Sequence, residues 1–587
     1  MKHFLTFFLS LILGGFIWAK KPNIVFLVSE DNSIHYLKHY GAKFGSMPNV
    51  EKMASQGLTF DHAFSNGPVC SVARSTLALG VWGPRMGIQY HRKAEAVTLP
   101  KGVLPWSAIL RNAGYYCANN SKQDYNFIIK GINAWDQSSK KASWRNRPKK
   151  DMPFFYMQSM GQSHESSLHF KKALMEEEKT RTPMESVKLN PYHPDTPTFR
   201  YTHARYHDRM SVIDDLIGSV LKKLEEDDLL DDTFVFYFGD HGGVLPRGKG
   251  YAYESGVHVP LVVRIPENFS HLIDHEEGTR TDGFVSFIDF GPTILNLAGI
   301  DVPLFMDGKP FLGEGVKSKD LSKRDEVYCY ADRFDEKYDL VRTVRKGKWK
   351  YIRNYQGFYP DGLHNNYRYR MLAYQEWREL FKAGKLDDKQ SQFFRPRPAE
   401  QLFDLSVDPH EVNDLSGEPQ FKNNLLELRS LLKQQLVKMN DLSLYPESHM
   451  IENALGDPLA FGNSKNEEIK SLIEIADLAV LPFEKVKTKI KKFLKTGSVW
   501  EKYWACMVCS QFGNEAKPIS PMLKFLLKDD NLMVRMRAIE ALALVAGEDP
   551  IHGLIEISNK SSSRIEVLLT MNSIAFFRDH HGFELKP

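Results

Sequence analysis

Two pairs of potential metal ligands stand directly after apolar, strand-like runs in this 587-residue sequence: Glu30-Asp31 and Asp240-His241. The runs cover residues 24–29 and 234–238, each nearly continuous in hydrophobic side chains, as strands buried on both faces are. In an open α/β sheet, ligands gather in the crevice beyond the carboxyl ends of the strands, so four donors at two such ends can converge on one cation. Three of the four are carboxylates, which favours a hard ion, Ca²⁺ before Zn²⁺. A single acidic residue at a strand end is ordinarily a helix cap, but two adjacent pairs at two strand ends ask for more. A third element is Gly67-Pro68-Val69-Cys70-Ser71-Val72-Ala73-Arg74-Ser75, which follows a turn and opens a helical stretch over 71–79. A cysteine at a helix start feels the positive end of the dipole, which lowers its pKa. Arg74, one turn later, faces the same way and suits an anion. Taken alone, Cys70 reads equally as a thiol nucleophile, a redox cysteine or a buried one.

The elements that must position these groups follow from periodicity. Further strands are expected at 154–159 and 261–265, with helices at 49–56, 107–113 and 201–226 between them. That alternation predicts an α/β layout in which helices flank a largely parallel sheet. Residues 327–330, 340–345 and 349–353 read instead as short antiparallel strands, with Gly347-Lys348 as a hairpin turn and a closing helix at 423–439. Stretches 497–513 and 531–547 resemble each other, so the end of the chain reads as a HEAT-like helical tail or an ordinary helical cap. The expected division is residues 1–19 as a signal peptide, 20–322 as the catalytic domain, 323–450 as an antiparallel-sheet subdomain and 465–587 as the tail.

From Lys21 to about residue 415 the sequence resembles the sulfatase family of the alkaline phosphatase superfamily. Pro22-Asn23-Ile24-Val25-Phe26-Leu27-Val28-Ser29-Glu30-Asp31 is similar to the family's opening strand and acidic pair. Cys70-Ser71-Val72-Ala73-Arg74 looks like the signature in which the cysteine is oxidised to formylglycine, although Val72 stands where Pro or Ala is usual. Lys122 sits where the second signature has an active-site lysine, with Asp124 in place of a frequent histidine. Gly239-Asp240-His241-Gly242-Gly243 and Lys249 match the second metal pair and another active-site lysine. His164, in Gly161-Gln162-Ser163-His164-Glu165, matches the family's active-site histidine.

The resemblance implies an alkaline phosphatase-like fold and a sulfuric ester hydrolase. One Ca²⁺ would be held by Glu30, Asp31, Asp240 and His241 together with the formylglycine made from Cys70 by a maturase. The hydrated aldehyde would supply the nucleophilic oxygen. Arg74, Lys122 and Lys249 would surround the sulfate, whose transition state spreads negative charge over its oxygens. His164 would protonate the leaving alcohol or touch the sulfate. The layout resembles bacterial polysaccharide sulfatases and the heparan N-sulfatase branch, so O- and N-sulfate both remain open.

Other features bound the substrate and the compartment. Met1-Lys2-His3 followed by the apolar run 4–18 and Ala19 reads as a secretory leader, placing the protein in the periplasm or outside the cell, with no membrane span once it is removed. An external sulfated polysaccharide or oligosaccharide is then the expected partner. His193, Asp195, Arg333 and His364 lie in loop-like segments whose aromatic and charged composition suits a sugar, or a solvated loop. A net charge of +4 argues against nucleic acid. Five cysteines make no disulfide framework, and Cys506 and Cys509 sit in an apolar helical stretch that reads as core. Two alternatives stand beside the sulfatase reading: a phosphodiesterase or phosphonate monoester hydrolase of the same superfamily, and a non-catalytic sulfated-glycan binder should Val72 block maturation.

Overall fold

A computed structural model describes residues 20–584. The expected leader at 1–19 lies outside the described residues. Nine strands form the main sheet: β1 (Asn23–Ser29), β2 (Gly57–Phe64), β3 (Tyr116–Asn120), β4 (Gln137–Ser138), β5 (Phe154–Met160), β6 (Thr233–Gly239), β7 (His258–Arg264), β8 (Thr279–Thr281) and β9 (Val285–Ser286). Their order is β4-β3-β5-β1-β6-β7-β2-β8, with β9 also paired to β2.

The central strands are apolar throughout because both sheet faces are covered. Alternate residues of β1 point to opposite sides. Val25 and Leu27 pack with Met210, Ile213 and Ile217 of the helix Pro197–Glu226. Ile24, Phe26 and Val28 pack with Trp106, Phe290 and Ile294 from the helices Trp106–Asn112 and Phe287–Leu297. The expected α/β layout is therefore the observed one. One strand departs from the parallel set: β7, expected at 261–265, runs antiparallel to both β6 and β2. Burial on both faces dictates composition but carries no information about direction.

A second, antiparallel sheet comprises β10 (Glu326–Ala331), β11 (Val341–Lys346), β12 (Trp349–Asn354) and β13 (Glu400–Asp404), in that order. Gly347 makes the β11–β12 turn at φ +54°, a left-handed conformation that favours glycine. The helix Lys422–Met439 lays Leu425, Leu428, Leu432 and Leu436 on this sheet. The helices that follow belong to the same hydrophobic cluster: Val344 and Tyr351 of the sheet share it with Leu472, Trp504 and Val534. The helical end thus shares a core with the sheet instead of hanging from a linker. Cys506 and Cys509 are fully buried in the helix Val499–Phe512, in that core. Among the described residues, no helix is long and apolar enough to cross a membrane.

Candidate active site

The register of the central strands brings four chain segments to one sheet edge. Ser29 of β1 is level with Met160 of β5 and Gly239 of β6, and Asn120 of β3 with Gln158 of β5. These four strands run the same way. The residues after them therefore emerge together: Glu30-Asp31, Asp240-His241, His164-Glu165 and Lys122.

Asp31 adopts a left-handed φ of +55°, which Asp tolerates better than most residues. Its backbone N–H donates to Asp240 Oδ1 at 2.9 Å, and its Oδ2 accepts the Glu165 N–H at 2.6 Å. His241 Nε2 lies 2.7 Å from Asp31 Oδ1. Gly242 is required just beyond, because a Cβ there would stand 2.3 Å from the Ser255 carbonyl oxygen. The turn after β6 closes against the helix Glu254–Val257 through that contact.

Cys70 opens the helix Cys70–Leu79. Its Sγ lies 3.3 Å from His241 Nε2, 3.5 Å from Lys249 Nζ and 3.8 Å from Asp31 Oδ1. Arg74 is one helical turn on, on the same side. Its Nε donates to Asp240 Oδ2 at 3.1 Å and its Nη1 to Ser159 Oγ at 3.0 Å, with Glu30 at 3.8 Å. Lys122 Nζ donates to Glu30 Oε2 at 2.8 Å. Lys249 Nζ donates to both oxygens of Asp31 at 3.0 Å and stands 3.4 Å from His164 Nε2. All the catalytic and metal-ligand candidates from the sequence meet in this cluster.

The charges in the cluster support one another. Burial alone would raise the Asp240 carboxyl, but His241 and Arg74 bring it down to about 2. Burial likewise opposes ionisation of Asp31, and Lys249 and His241 hold it well below the usual carboxylate range. His241 moves the other way, up to about 10, because Asp240 and Asp31 outweigh its burial. Burial would push the Cys70 thiol up; Lys249 overcomes this and lowers it to about 7.

The donors fit a divalent cation. Asp31, Cys70 and His241 offer ligand atoms within 4.8 Å of one another, as do Glu30, Cys70 and His164. Asp240 Oδ1 adds a carboxylate oxygen 3.7 Å from His241 Nε2. His241 Nδ1 is buried without a hydrogen-bond partner. Only a neutral imidazole can ligate, so a cation would compete with the proton His241 otherwise keeps.

A cavity of about 170 Å³ opens over the cluster, lined by Cys70, Lys122, His164 and Lys249. His91, Arg92, Asp124, Glu165, Phe334 and Tyr367 complete its walls. Of these, the sequence pointed to Asp124, two residues after Lys122, to Glu165, beside His164, and to Phe334, beside Arg333. The others come from distant loops with no shared spacing.

The four sugar-contact candidates lie elsewhere, and none lines this cavity. His193 is buried beside His203 and the Pro246 carbonyl, 3.0 and 2.8 Å away. Asp195 is exposed and pairs with Arg200 at 2.6 Å. His364 pairs with Arg378 at 2.8 Å and stacks on Tyr369. Arg333 is buried behind the cavity wall, in an ion pair with Glu447 at 2.6 Å. A mixture of aromatic and charged residues marks polar loops but does not say which of them faces the site.

Residues 22–300 match the family model described as Sulfatase, and residues 239–367 match that described as N-sulphoglucosamine sulphohydrolase, C-terminal. An ulvan-active sulfatase of Formosa agariphila is 34% identical over 478 residues, which cover 74% of this chain and 77% of the relative. The chain belongs to the sulfatase family. The sulfatase is also 25% identical to human N-sulphoglucosamine sulphohydrolase over 262 residues, covering 43% of this chain and 50% of that one. A solved structure in complex with its substrate D-glucosamine-2-N,6-O-disulfate shares the fold, with a TM-score of 0.52 and 18% identity, covering 72% of this chain and 99% of that one. The protein is accordingly a sulfuric ester hydrolase, and membership implies a formylglycine and a divalent metal.

Proposed function

We propose that this sulfatase removes sulfate from a sulfated polysaccharide or oligosaccharide, with formylglycine made from Cys70 and one Ca²⁺. The observation that carries this reading is the position of Cys70 Sγ, within 3.8 Å of His241, Lys249 and Asp31 at the carboxyl edge of the sheet. The relatives act on sulfated sugars, which supports the substrate class.

Asp31, Asp240, His241 and the residue at 70 would hold the cation, with Glu30 at its edge; carboxylate oxygens dominate the set, which favours calcium. The cation, when bound, supplies positive charge against the sulfate oxygens and the attacking group. Formylglycine supplies a hydrated aldehyde, one hydroxyl of which is the nucleophile. Arg74, Lys122 and Lys249 fix the sulfate and oppose the charge that develops on its oxygens. Their geometry is held before substrate arrives by Asp240, Glu30 and Asp31. His164 would give a proton to the departing sugar oxygen.

Export in the leader-directed manner and maturation by a formylglycine-generating enzyme complete the reading. Residues 20–322 act as the catalytic unit, 323–450 as the antiparallel-sheet subdomain and 465–587 as the helical tail. The test is a panel of O- and N-sulfated oligosaccharides, with desulfated products located by mass. Release of sulfate from a glycan supports the reading. Turnover of aryl phosphate diesters with none of sulfate esters would overturn it.

A further inference from the structure

Three residues of the cavity wall, His91, Arg92 and Phe334, come from two loops far apart in the sequence, 90–92 and 333–338, and one guanidinium joins them. Arg333 commits all five of its N–H donors. Nε and Nη2 donate to the two carboxylate oxygens of Glu447 at 2.6 and 2.8 Å. Nη1 donates to the carbonyls of His91 and Asp335 at 2.9 and 2.7 Å, and Nη2 to that of Arg92 at 3.3 Å. The His91 N–H returns a hydrogen bond to the Arg333 carbonyl at 3.1 Å. Both partners of the ion pair are 3% exposed.

The side chains that face the cavity hang from this joint. The His91 ring stacks on Phe334 with centroids 4.9 Å apart, and His91 Nδ1 meets Ser71 Oγ, beside Cys70, at 3.0 Å. The Arg92 side chain, 60% exposed, lies 3.2 Å from Asp335 and over the Tyr367 ring. Lys122 and Lys249 line the cavity beside Cys70, and the exposed Arg92 lies at its rim.

Glu447 comes from the helical end of the chain, in the helix Glu447–Asn453. It also accepts from the Tyr338 hydroxyl at 2.9 Å. A second helix there, Arg564–His581, accepts the Tyr338 N–H on Asn572 Oδ1 at 3.1 Å. The helical end therefore grips the same loop at two points.

We infer that Glu447 is a positioning residue for substrate specificity: through Arg333 it sets the wall formed by His91, Arg92 and Phe334, so the helical end is part of the sugar-binding apparatus. The inference rests on the proposed activity. A fork of five directed bonds holds geometry that a neutral or flexible partner cannot reproduce.

The test compares Glu447→Gln and Arg333→Lys with two controls in the helical end, Ser510→Ala and Ser573→Ala. The first control breaks the buried contact of Ser510 with the Cys506 carbonyl, away from the fork. The second breaks the buried Glu540–Ser573 contact. Each is assayed on a sulfated oligosaccharide that the wild type turns over and on 4-nitrophenyl sulfate, beside its melting temperature. The expected result is a rise of about tenfold in KM for the oligosaccharide in both fork variants, with kcat and aryl sulfate turnover within about twofold of wild type. The controls should leave KM unchanged at whatever stability they have. Unchanged KM in the fork variants would overturn the inference, as would an equal fall on both substrates or the same KM rise in controls of matched stability. Failure of the wild type on every sulfate ester would instead sink the proposed function.

Discussion

Lys249 Nζ sits 3.0 Å from both carboxylate oxygens of Asp31, and neither group is more than 5% exposed. Asp31 lies in the turn just after β1 and Lys249 in the loop after β6, so the pair locks two chain segments over Cys70. It also places a fixed positive charge where a sulfate would enter, 3.5 Å from Cys70 Sγ.

Replacing that charge should cost chemistry more than binding. Lys249→Ala should lower kcat on 4-nitrophenyl sulfate by about 10²–10³, the loss typical of one preorganised group facing transition-state charge. Steady-state kinetics at saturating calcium checks this. A change confined to KM would show that Lys249 only attracts the substrate.

The cation should be removable and selective. Chelation should abolish turnover, and calcium should restore it. Asp240→Asn should raise the calcium concentration for half-maximal activity at least about tenfold, by removing a carboxylate from the ligand set. Calcium-dependent shifts in melting temperature give the affinity without an activity assay. They should strengthen as pH rises, because His241 must lose its proton to ligate.

The buried His193 predicts an acid-sensitive fold. Burial lowers its pKa from 6.5 to about 3, so the folded protein holds it neutral while the unfolded chain protonates it below 6.5. The stability tied to the neutral ring is intact above pH 6.5 and is lost as pH falls toward about 3. His193→Gln should therefore melt lower than wild type at pH 7.5, by about 1–3 kcal/mol, with the gap closing by about pH 4. Melting curves across that range settle it; a gap independent of pH would contradict the assignment.

Much of the cluster was legible because its parts sit at strand ends. Glu30-Asp31 and Asp240-His241 follow runs whose only economical reading is a doubly covered strand, and Cys70 with Arg74 follows a turn into a helix. Parallel register did the rest, since Ser29, Met160 and Gly239 are level. Most of the cavity wall was not legible. Arg333 reads as a loop cation until its partner Glu447 is known, and that partner lies 114 residues away. His193 stands between Tyr192 and Pro194 in what reads as a polar loop, yet it is buried against Trp377 and His203. The direction of β7 was hidden for the same reason: pairing partners, not composition, decide it.

The central claim is that residue 70 does the chemistry beside a cation. The most direct measurement is inorganic sulfate released from a sulfated oligosaccharide by the wild type and by Cys70→Ala, both produced in a host that makes formylglycine and assayed with calcium. The account predicts sulfate and desulfated sugar in equal amounts from the wild type and none above background from the variant. Equal release by both proteins would contradict it.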